Sequence, residues 1–191
     1  MDSREILRRE QILTWPNLFT LVRLFCIPLF VWLLFGKEDR VTAALLLATL
    51  GSTDWVDGWI ARRYSQTSEF GAIFDPTVDR ILFFVAIPSL VIDGSLLLII
   101  AILVFIREAI VAVLAIIYTA RTGGRVEVTY EGKAGTFLLM FALPLFLAAG
   151  SSLSYVATLE WLAWFCITPG LVYSWYSALV QYARGVFRQA T

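Results

Sequence analysis

Long apolar segments constrain this chain more than any other feature of its sequence. A helix that crosses a bilayer needs about 20 mainly apolar residues, and six segments come near that length: 18–35, 41–60, 74–92, 95–119, 134–150 and 159–180. Hydrophobic residues make up 59% of the chain and charged residues 16%, whereas soluble domains average about 45–50% and about 25%. The sequence therefore predicts an all-α, polytopic membrane protein with six transmembrane helices.

The connections between these segments are short and leave little room for a second domain. Gly36–Arg40, Asp93–Gly94 and Gly150–Ser154 are rich in turn-forming residues. We expect residues 14–191 to form one six-helix domain, preceded by a juxtamembrane segment over residues 1–13. Charges and an apolar face within that segment predict an amphipathic helix on the membrane surface, and a frayed tail is the alternative.

Basic residues predict how the chain is oriented in the membrane. An even number of spans places both termini on one side, and loops on the cytoplasmic side carry more lysine and arginine. Ten basic residues fall on the side of the termini: Arg4, Arg8, Arg9, Arg62, Arg63, Arg121, Arg125, Lys133, Arg184 and Arg188. Lys37 and Arg40 fall on the other side. Both termini are therefore predicted to be cytoplasmic, in a multi-pass protein of the inner (cytoplasmic) membrane. The net charge is zero, and we expect no nucleic-acid partner.

Four aspartates lie where the second predicted span ends and the third begins. Asp54 and Asp57 are three residues apart and Asp75 and Asp79 are four apart, so each pair shares one face of its helix. The predicted topology places both pairs at the cytoplasmic side. Charged groups in a bilayer are costly unless they are paired, hydrated or bound to metal. Because Mg²⁺ and Mn²⁺ prefer oxygen ligands, the four carboxylates predict a divalent-metal site; salt bridges to nearby arginines are the alternative.

Small and basic residues extend this pattern. Glycine and alanine at positions 58, 61 and 71 permit close helix packing and close approach to a ligand, and the planar guanidinium of Arg62 suits a phosphate. The whole pattern reads Asp54-x-x-Asp57-Gly58-x-x-Ala61-Arg62, eight residues, Gly71-x-x-x-Asp75-x-x-x-Asp79. It resembles the signature of the CDP-alcohol phosphotransferases at all eight fixed positions, over 26 residues.

The resemblance implies an enzyme that moves a phosphatidyl group from CDP-diacylglycerol to a glycerol-based alcohol and releases CMP. Members are metal-dependent and often homodimeric, so it implies Mg²⁺ or Mn²⁺, two ions in number, and a homodimer among membrane lipids. It assigns metal binding to Asp54, Asp57, Asp75 and Asp79, with Asp79 also the general base. It assigns binding of the CDP donor to Gly58, Ala61, Arg62, Ser68 and Gly71.

Two segments outside the signature also resemble this family. Trp15-Pro16-Asn17-Leu18-Phe19-Thr20 resembles the start of bacterial members that make phosphatidylglycerol phosphate or cardiolipin, which adds Asn17 and Thr20 to the donor site. Pro16 and Asn17 are equally typical of a helix start. Residues 128–137 resemble a loop and helix start of actinobacterial-type members, where Lys133 is a candidate contact for the acceptor phosphate.

The acceptor is predicted from one departure from the family pattern. Gly135 stands where typical phosphatidylglycerol-phosphate synthases carry a second lysine. This favours phosphatidylglycerol as acceptor, giving cardiolipin, over glycerol 3-phosphate. Arg107, inside the fourth span, either meets an anionic substrate group or pairs with a buried carboxylate. Adjacent residues do not share a helix face, so Arg107 and Glu108 are each expected to find other partners.

An ion or metal transporter is the alternative of another class, because acidic residues inside a membrane also line ion paths. A transporter would distribute its acidic residues through the depth of the bilayer. Here the aspartates cluster at one end, beside residues that suit a nucleotide donor, and this arrangement favours the enzyme.

Overall fold

The computed structural model describes residues 15–64, 71–122, 130–152 and 154–187, with side chains for 20–53, 77–117, 119–120, 130–152, 154 to 180. All regular structure in these ranges is helical. Six α-helices follow one another: α1 (Trp15–Val31), α2 (Arg40–Tyr64), α3 (Gly71–Asp93), α4 (Leu98–Thr122), α5 (Tyr130–Ala149) and α6 (Val156–Phe187). A π-helical turn, Trp32–Gly36, continues α1. The predicted all-α class is confirmed for this part of the chain.

Three helices of the described chain are long and apolar enough to cross a membrane: Leu98–Ile117, Tyr130–Ala149 and Val156–Val180. Thr20–Gly36 and Arg40–Thr53 are shorter apolar helices. The chain is thus a membrane protein whose described part is all-helical with three candidate spans, and the number six stays a prediction. Several helices extend past the predicted apolar segments, because polar residues at a membrane surface continue a helix without cost to the apolar interior. The predicted surface helix before residue 14 lies outside the described residues.

In the first unit, Met1–Asp93, α1 packs against both α2 and α3. Phe30 of α1, Leu47 of α2, and Leu82 and Leu90 of α3 are almost completely buried. The two helices that carry the aspartates, α2 and α3, therefore share α1 as a neighbour.

The turn between α1 and α2 is closed by a helix cap. Asp39 accepts hydrogen bonds from the Thr42 backbone N–H (3.0 Å) and from the Thr42 hydroxyl (2.6 Å). This is an N-cap, which satisfies backbone donors that a helix start leaves without partners. The side-chain and backbone hydrogen bonds from Thr42 lower the pKa of the Asp39 carboxyl below its ordinary value of 3.8.

An ion pair ties the start of α2 to the end of α3. The Arg40 Nε donates to both carboxylate oxygens of Asp93, at 3.0 and 3.1 Å. The Asp93 side chain is nearly buried and the Arg40 side chain is 41% exposed. The next residue, Gly94, has a positive φ of 80°, which ends α3 in a conformation that glycine adopts without strain.

In the second unit, Gly94–Thr191, α6 packs closely on α5 and also contacts α4. Gly135 of α5 and Gly170 of α6 lie at the crossing. A Cβ built on Gly135 would lie 2.6 Å from the backbone nitrogen of Ser174 and 3.0 Å from the backbone oxygen of Gly170. These two helices therefore approach at a distance that only glycine permits at position 135.

Candidate active site

The described part of the site centres on Asp79, in the third turn of α3. Its carboxylate oxygen Oδ1 accepts a hydrogen bond from Nη1 of Arg23, which lies on α1. The Arg23 side chain is 3% exposed and that of Asp79 is 29% exposed. A guanidinium buried in an apolar helix pair needs an anionic partner, and the contact between α1 and α3 supplies it. Asp79 is thus held in a defined orientation while part of its surface stays accessible.

The other three predicted metal ligands lie on the helices that the sequence predicted. Asp54 and Asp57 are on the C-terminal half of α2, and Asp75 is one turn before Asp79 on α3. Their side chains are outside the described residues. Because the backbone is helical there, residues three or four apart lie on one face of their helix; the metal site itself stays a prediction.

The predicted donor set suits a hard divalent cation. The Asp79 carboxylate is partly accessible, and the predicted ligands Asp54, Asp57 and Asp75 lie on α2 and α3, which both pack on α1. Oxygen ligands of this number and charge fit Mg²⁺ or Mn²⁺. Among described residues no group of three or more His, Cys, Asp or Glu side chains forms a metal cluster; the side chains of Asp54, Asp57 and Asp75 are not among those described.

The predicted donor-binding residues are described to different extents. Thr20 is 3% exposed on α1, one turn before Arg23, so these two polar residues share the buried face of that helix. Asn17 lies in the first turn of α1, which agrees with the predicted helix start. Gly58, Ala61 and Arg62 lie on α2 and Gly71 begins α3. Ser68 is outside the described residues.

Arg107 corrects one prediction. Its Nη1 pairs with the carboxylate of the adjacent residue, Glu108, and its Nε donates to the backbone oxygen of Ser174 at 3.4 Å. Adjacent residues were expected to find separate partners. A long arginine can bend back to its neighbour, and Arg107 is 6% exposed, so the nearest carboxylate is the partner that avoids an uncompensated charge.

Lys133 and Gly135 lie in the first turns of α5. Lys133 is exposed, with its ammonium 5.8 Å from the centre of the Tyr130 ring. Gly135 is buried at the crossing with α6. The residue that replaces the second lysine is therefore also a packing residue. Arg107 and Lys133 both belong to the second unit.

Sequence reasoning missed the role of Arg23. The signal was present, because an arginine in an apolar segment requires a carboxylate partner. Four aspartates were available, and spacing alone does not reveal which of them α1 approaches.

Comparisons with known proteins agree with the motif. Residues 13–169 match the CDP-alcohol phosphatidyltransferase family. The chain is 34% identical over 155 residues to a cardiolipin synthase (CMP-forming) of Streptomyces coelicolor, covering 78% of this chain and 72% of the relative. It is 33% identical over 180 residues to a CDP-diacylglycerol–glycerol-3-phosphate 3-phosphatidyltransferase of Pseudomonas fluorescens, covering 90% and 89%. A protein of the same name from Rickettsia felis is 31% identical over 175 residues, covering 87% and 96%.

Proposed function

Because the chain belongs to the CDP-alcohol phosphatidyltransferase family, we propose that it transfers the phosphatidyl group of CDP-diacylglycerol to phosphatidylglycerol. The products are cardiolipin and CMP. The observation that carries this proposal is the complete aspartate signature from Asp54 to Asp79, on two helices that both pack on α1. A transporter would leave Gly58 and Arg62 of that signature without a role.

The carboxylates of Asp54, Asp57, Asp75 and Asp79 would hold two Mg²⁺ or Mn²⁺ ions, in agreement with the general metal dependence of the family. Bound metal would offset the charge of the donor pyrophosphate and stabilise departing CMP. Arg62 would grip a donor phosphate with its planar guanidinium. Gly58, Ala61 and Gly71 would let the donor approach the backbone, and Asn17, Thr20 and Ser68 would add polar contacts to it.

Asp79 is the residue that we assign to proton removal. An acceptor hydroxyl loses its proton as it attacks the donor phosphorus, and a carboxylate within hydrogen-bond reach accepts that proton. Arg23 holds one oxygen of Asp79, and this contact orients the carboxylate. Arg23 is therefore a positioning residue, and direct displacement requires no covalent enzyme intermediate.

The choice of acceptor rests on α5. Gly135 takes the place of the second lysine, which removes one cation that would bind the phosphate of glycerol 3-phosphate. Lys133 remains exposed near the start of that helix and is our candidate for the phosphate of phosphatidylglycerol, together with Arg107. The name of the Streptomyces coelicolor relative supports cardiolipin synthesis. The names of the other two relatives support glycerol 3-phosphate, which we keep as the second candidate acceptor.

The same proposal covers location and assembly. Six spans are proposed from the lengths of the apolar segments. Both termini in the cytoplasm and an active site at the cytoplasmic face of the inner membrane are proposed from the distribution of basic residues. A homodimer is proposed from the family resemblance.

An acceptor panel tests the proposal. Purified protein in phosphatidylcholine vesicles is supplied with CDP-diacylglycerol and Mg²⁺ or Mn²⁺, and CMP is measured by chromatography. We expect CMP and cardiolipin with phosphatidylglycerol. If CMP is released with glycerol 3-phosphate but not with phosphatidylglycerol, the product is phosphatidylglycerol phosphate instead of cardiolipin. Absence of CMP with either of these acceptors and with inositol phosphate would refute the donor assignment.

Substitutions separate the proposed roles. Asp79→Asn should abolish turnover while donor binding persists, whereas Asp54→Asn should weaken metal binding measured by calorimetry. Arg23→Gln should lower kcat more than it raises KM, because it misorients Asp79 without touching the donor. Glu160→Gln, at an exposed carboxylate on α6 outside the signature, is the matched control and should retain activity. Normal turnover in Asp79→Asn would remove its role as base.

A further inference from the structure

A fixed positive charge lies against one of the proposed metal ligands. Arg23 of α1 pairs with the carboxylate of Asp79 on α3. The Arg23 side chain is 3% exposed, and a guanidinium keeps its proton in proteins, so the charge is permanent and held in place. It therefore acts on any second cation that binds Asp79, in addition to orienting that carboxylate.

Apolar side chains lie next to this pair along both helices. Ile27 follows Arg23 by one turn of α1 and is 6% exposed, and Leu82 follows Asp79 by one turn of α3 and is 1% exposed. Little water reaches the guanidinium, so its charge is weakly screened. The Asp79 side chain is 29% exposed and stays accessible to a cation from solution.

Two cations that share a carboxylate repel each other. The Asp79 oxygen that accepts from Arg23 also attracts a second cation less strongly, because the guanidinium offsets part of its negative charge. Even with the screening of bulk water, a unit charge and a divalent charge a few ångströms apart repel by an energy worth about tenfold in an equilibrium constant. A buried guanidinium is screened less, so its effect should be at least as large.

An orienting role alone predicts the opposite sign. If Arg23 only held Asp79 in a ligating geometry, its removal would weaken metal binding. Ordering a short side chain with two rotatable bonds is worth less than about tenfold in an equilibrium constant. Repulsion is therefore the larger of the two effects on metal affinity, although orientation still matters for proton removal.

We propose that Arg23 weakens the binding of divalent metal at the aspartate site when no donor is bound. The negative pyrophosphate of the donor would offset the Arg23 charge, which makes metal and donor bind more firmly together than metal alone. This inference rests on the proposed function, because it takes Asp79 as a metal ligand. It adds to Arg23 a control of metal occupancy that its role in orientation does not include.

Binding of Mn²⁺ without donor tests the proposal. The full-length protein in phosphatidylcholine vesicles is titrated with Mn²⁺, and electron paramagnetic resonance measures the metal that stays free. Arg23→Gln should bind Mn²⁺ about tenfold more tightly than the wild type, although its kcat falls. Arg23→Lys keeps the positive charge and should bind Mn²⁺ with nearly the affinity of the wild type.

Arg40→Gln is the matched control. It also removes an arginine that pairs with an aspartate of α3, but that partner, Asp93, lies about 20 Å along the helix from Asp79. Its Mn²⁺ affinity should equal that of the wild type. This comparison separates a local charge effect from a general effect of losing an ion pair.

A second comparison removes the orienting role altogether. Asp79→Asn is compared with the double variant Asp79→Asn and Arg23→Gln, in which two neutral amides face each other. With no carboxylate at position 79 to orient, the double variant should still bind Mn²⁺ more tightly than Asp79→Asn, through the loss of repulsion alone. If Arg23→Gln by itself failed to fold, this comparison would decide.

Two results would overturn the proposal. One is a Mn²⁺ affinity of folded Arg23→Gln equal to or below that of the wild type. The other is equal affinity in Asp79→Asn and the double variant. Neither result touches the phosphatidyltransferase assignment, because CMP release by the wild type tests that assignment separately.

Discussion

Gly135 and Gly170 meet where α5 crosses α6, and the two glycines are not equivalent. A Cβ on Gly135 would lie 2.6 Å from a backbone nitrogen and 3.0 Å from two further backbone atoms of α6. A Cβ on Gly170 would lie 3.1 Å from the Leu138 Cβ and from the Leu139 backbone nitrogen, and 3.3 Å from the Gly135 backbone oxygen. Contacts at these distances are relieved by a shift of a few tenths of an ångström, whereas a Cβ at 2.6 Å from a backbone nitrogen requires the helices to move apart. Gly135→Ala is therefore expected to destabilise the unit more than Gly170→Ala.

The difference can be estimated. Overpacking costs about 1–3 kcal/mol, and the 2.6 Å contact places Gly135→Ala near the upper limit, whereas contacts at 3.1–3.3 Å place Gly170→Ala near the lower limit. Replacing a helical glycine by alanine returns about 1 kcal/mol of helix propensity. The net loss is about 2 kcal/mol for Gly135→Ala and close to zero for Gly170→Ala. For a chain of this length, a loss of 2 kcal/mol lowers the melting temperature by about 4–8 °C.

Thermal unfolding in detergent, followed by intrinsic fluorescence, measures both variants. Ala134→Leu is the control, because it adds bulk at an exposed position beside Gly135 and should change the melting temperature by less than about 2 °C. Gly135→Lys, which introduces the second lysine of the family pattern, should be more disruptive than Gly135→Ala. A melting temperature of Gly135→Ala equal to that of Gly170→Ala would refute the reasoning from close backbone approach.

Three further predictions concern charged residues. Because hydrogen bonding lowers the pKa of Asp39, its contribution to stability is full above its ordinary value of 3.8 and is lost as the pH falls through the lowered pKa; acid should therefore destabilise the wild type more than Asp39→Asn. Arg40→Gln should cost about 1 kcal/mol in thermal unfolding, because Asp93 loses its partner while Arg40 is itself 41% exposed. Glu108→Gln should cost about 1–3 kcal/mol, since it leaves the Arg107 guanidinium buried without its anionic partner.

Each of these has a discriminating control. Asparagine at position 39 still caps a helix, so equal acid sensitivity of the two proteins would contradict the assignment of the titrating group. Restoring the ion pair in reverse, with Arg40→Asp and Asp93→Arg together, should recover part of the loss. A Glu108→Gln variant as stable as the wild type would show that Arg107 finds a different anion.

The helices themselves could be predicted because apolar length is a local property. The segment predicted over 134–150 is found as α5, Tyr130–Ala149, and that over 159–180 lies inside α6, Val156–Phe187. The helix ends differ from the predicted limits because polar residues near a membrane surface continue a helix. Tyr130 is 88% exposed and still begins α5, and no hydrophobic pattern marks such a residue as helical.

Partners across helices could not be predicted in the same way. The motif identifies Asp79 by its spacing along one helix, whereas its pairing with Arg23 depends on which neighbour α1 approaches. Gly135 illustrates the same limit. Its place in the motif suggested a lost cation, and only the crossing with α6 shows that the backbone of Ser174 occupies the space of any side chain there.

Arg23 and Gly135 affect both packing and activity, in different ways. Arg23 is buried, so its charge is compensated by a carboxylate that is also assigned to the reaction, and a substitution there should change activity and stability together. Gly135 is buried without charge, so a substitution there should change stability first and activity through the position of Lys133, two residues earlier on the same helix. Measuring kcat and melting temperature for variants at both positions separates these cases. At Arg23, kcat and melting temperature should fall together. At Gly135, the melting temperature should fall first, and kcat should fall only as α5 separates from α6.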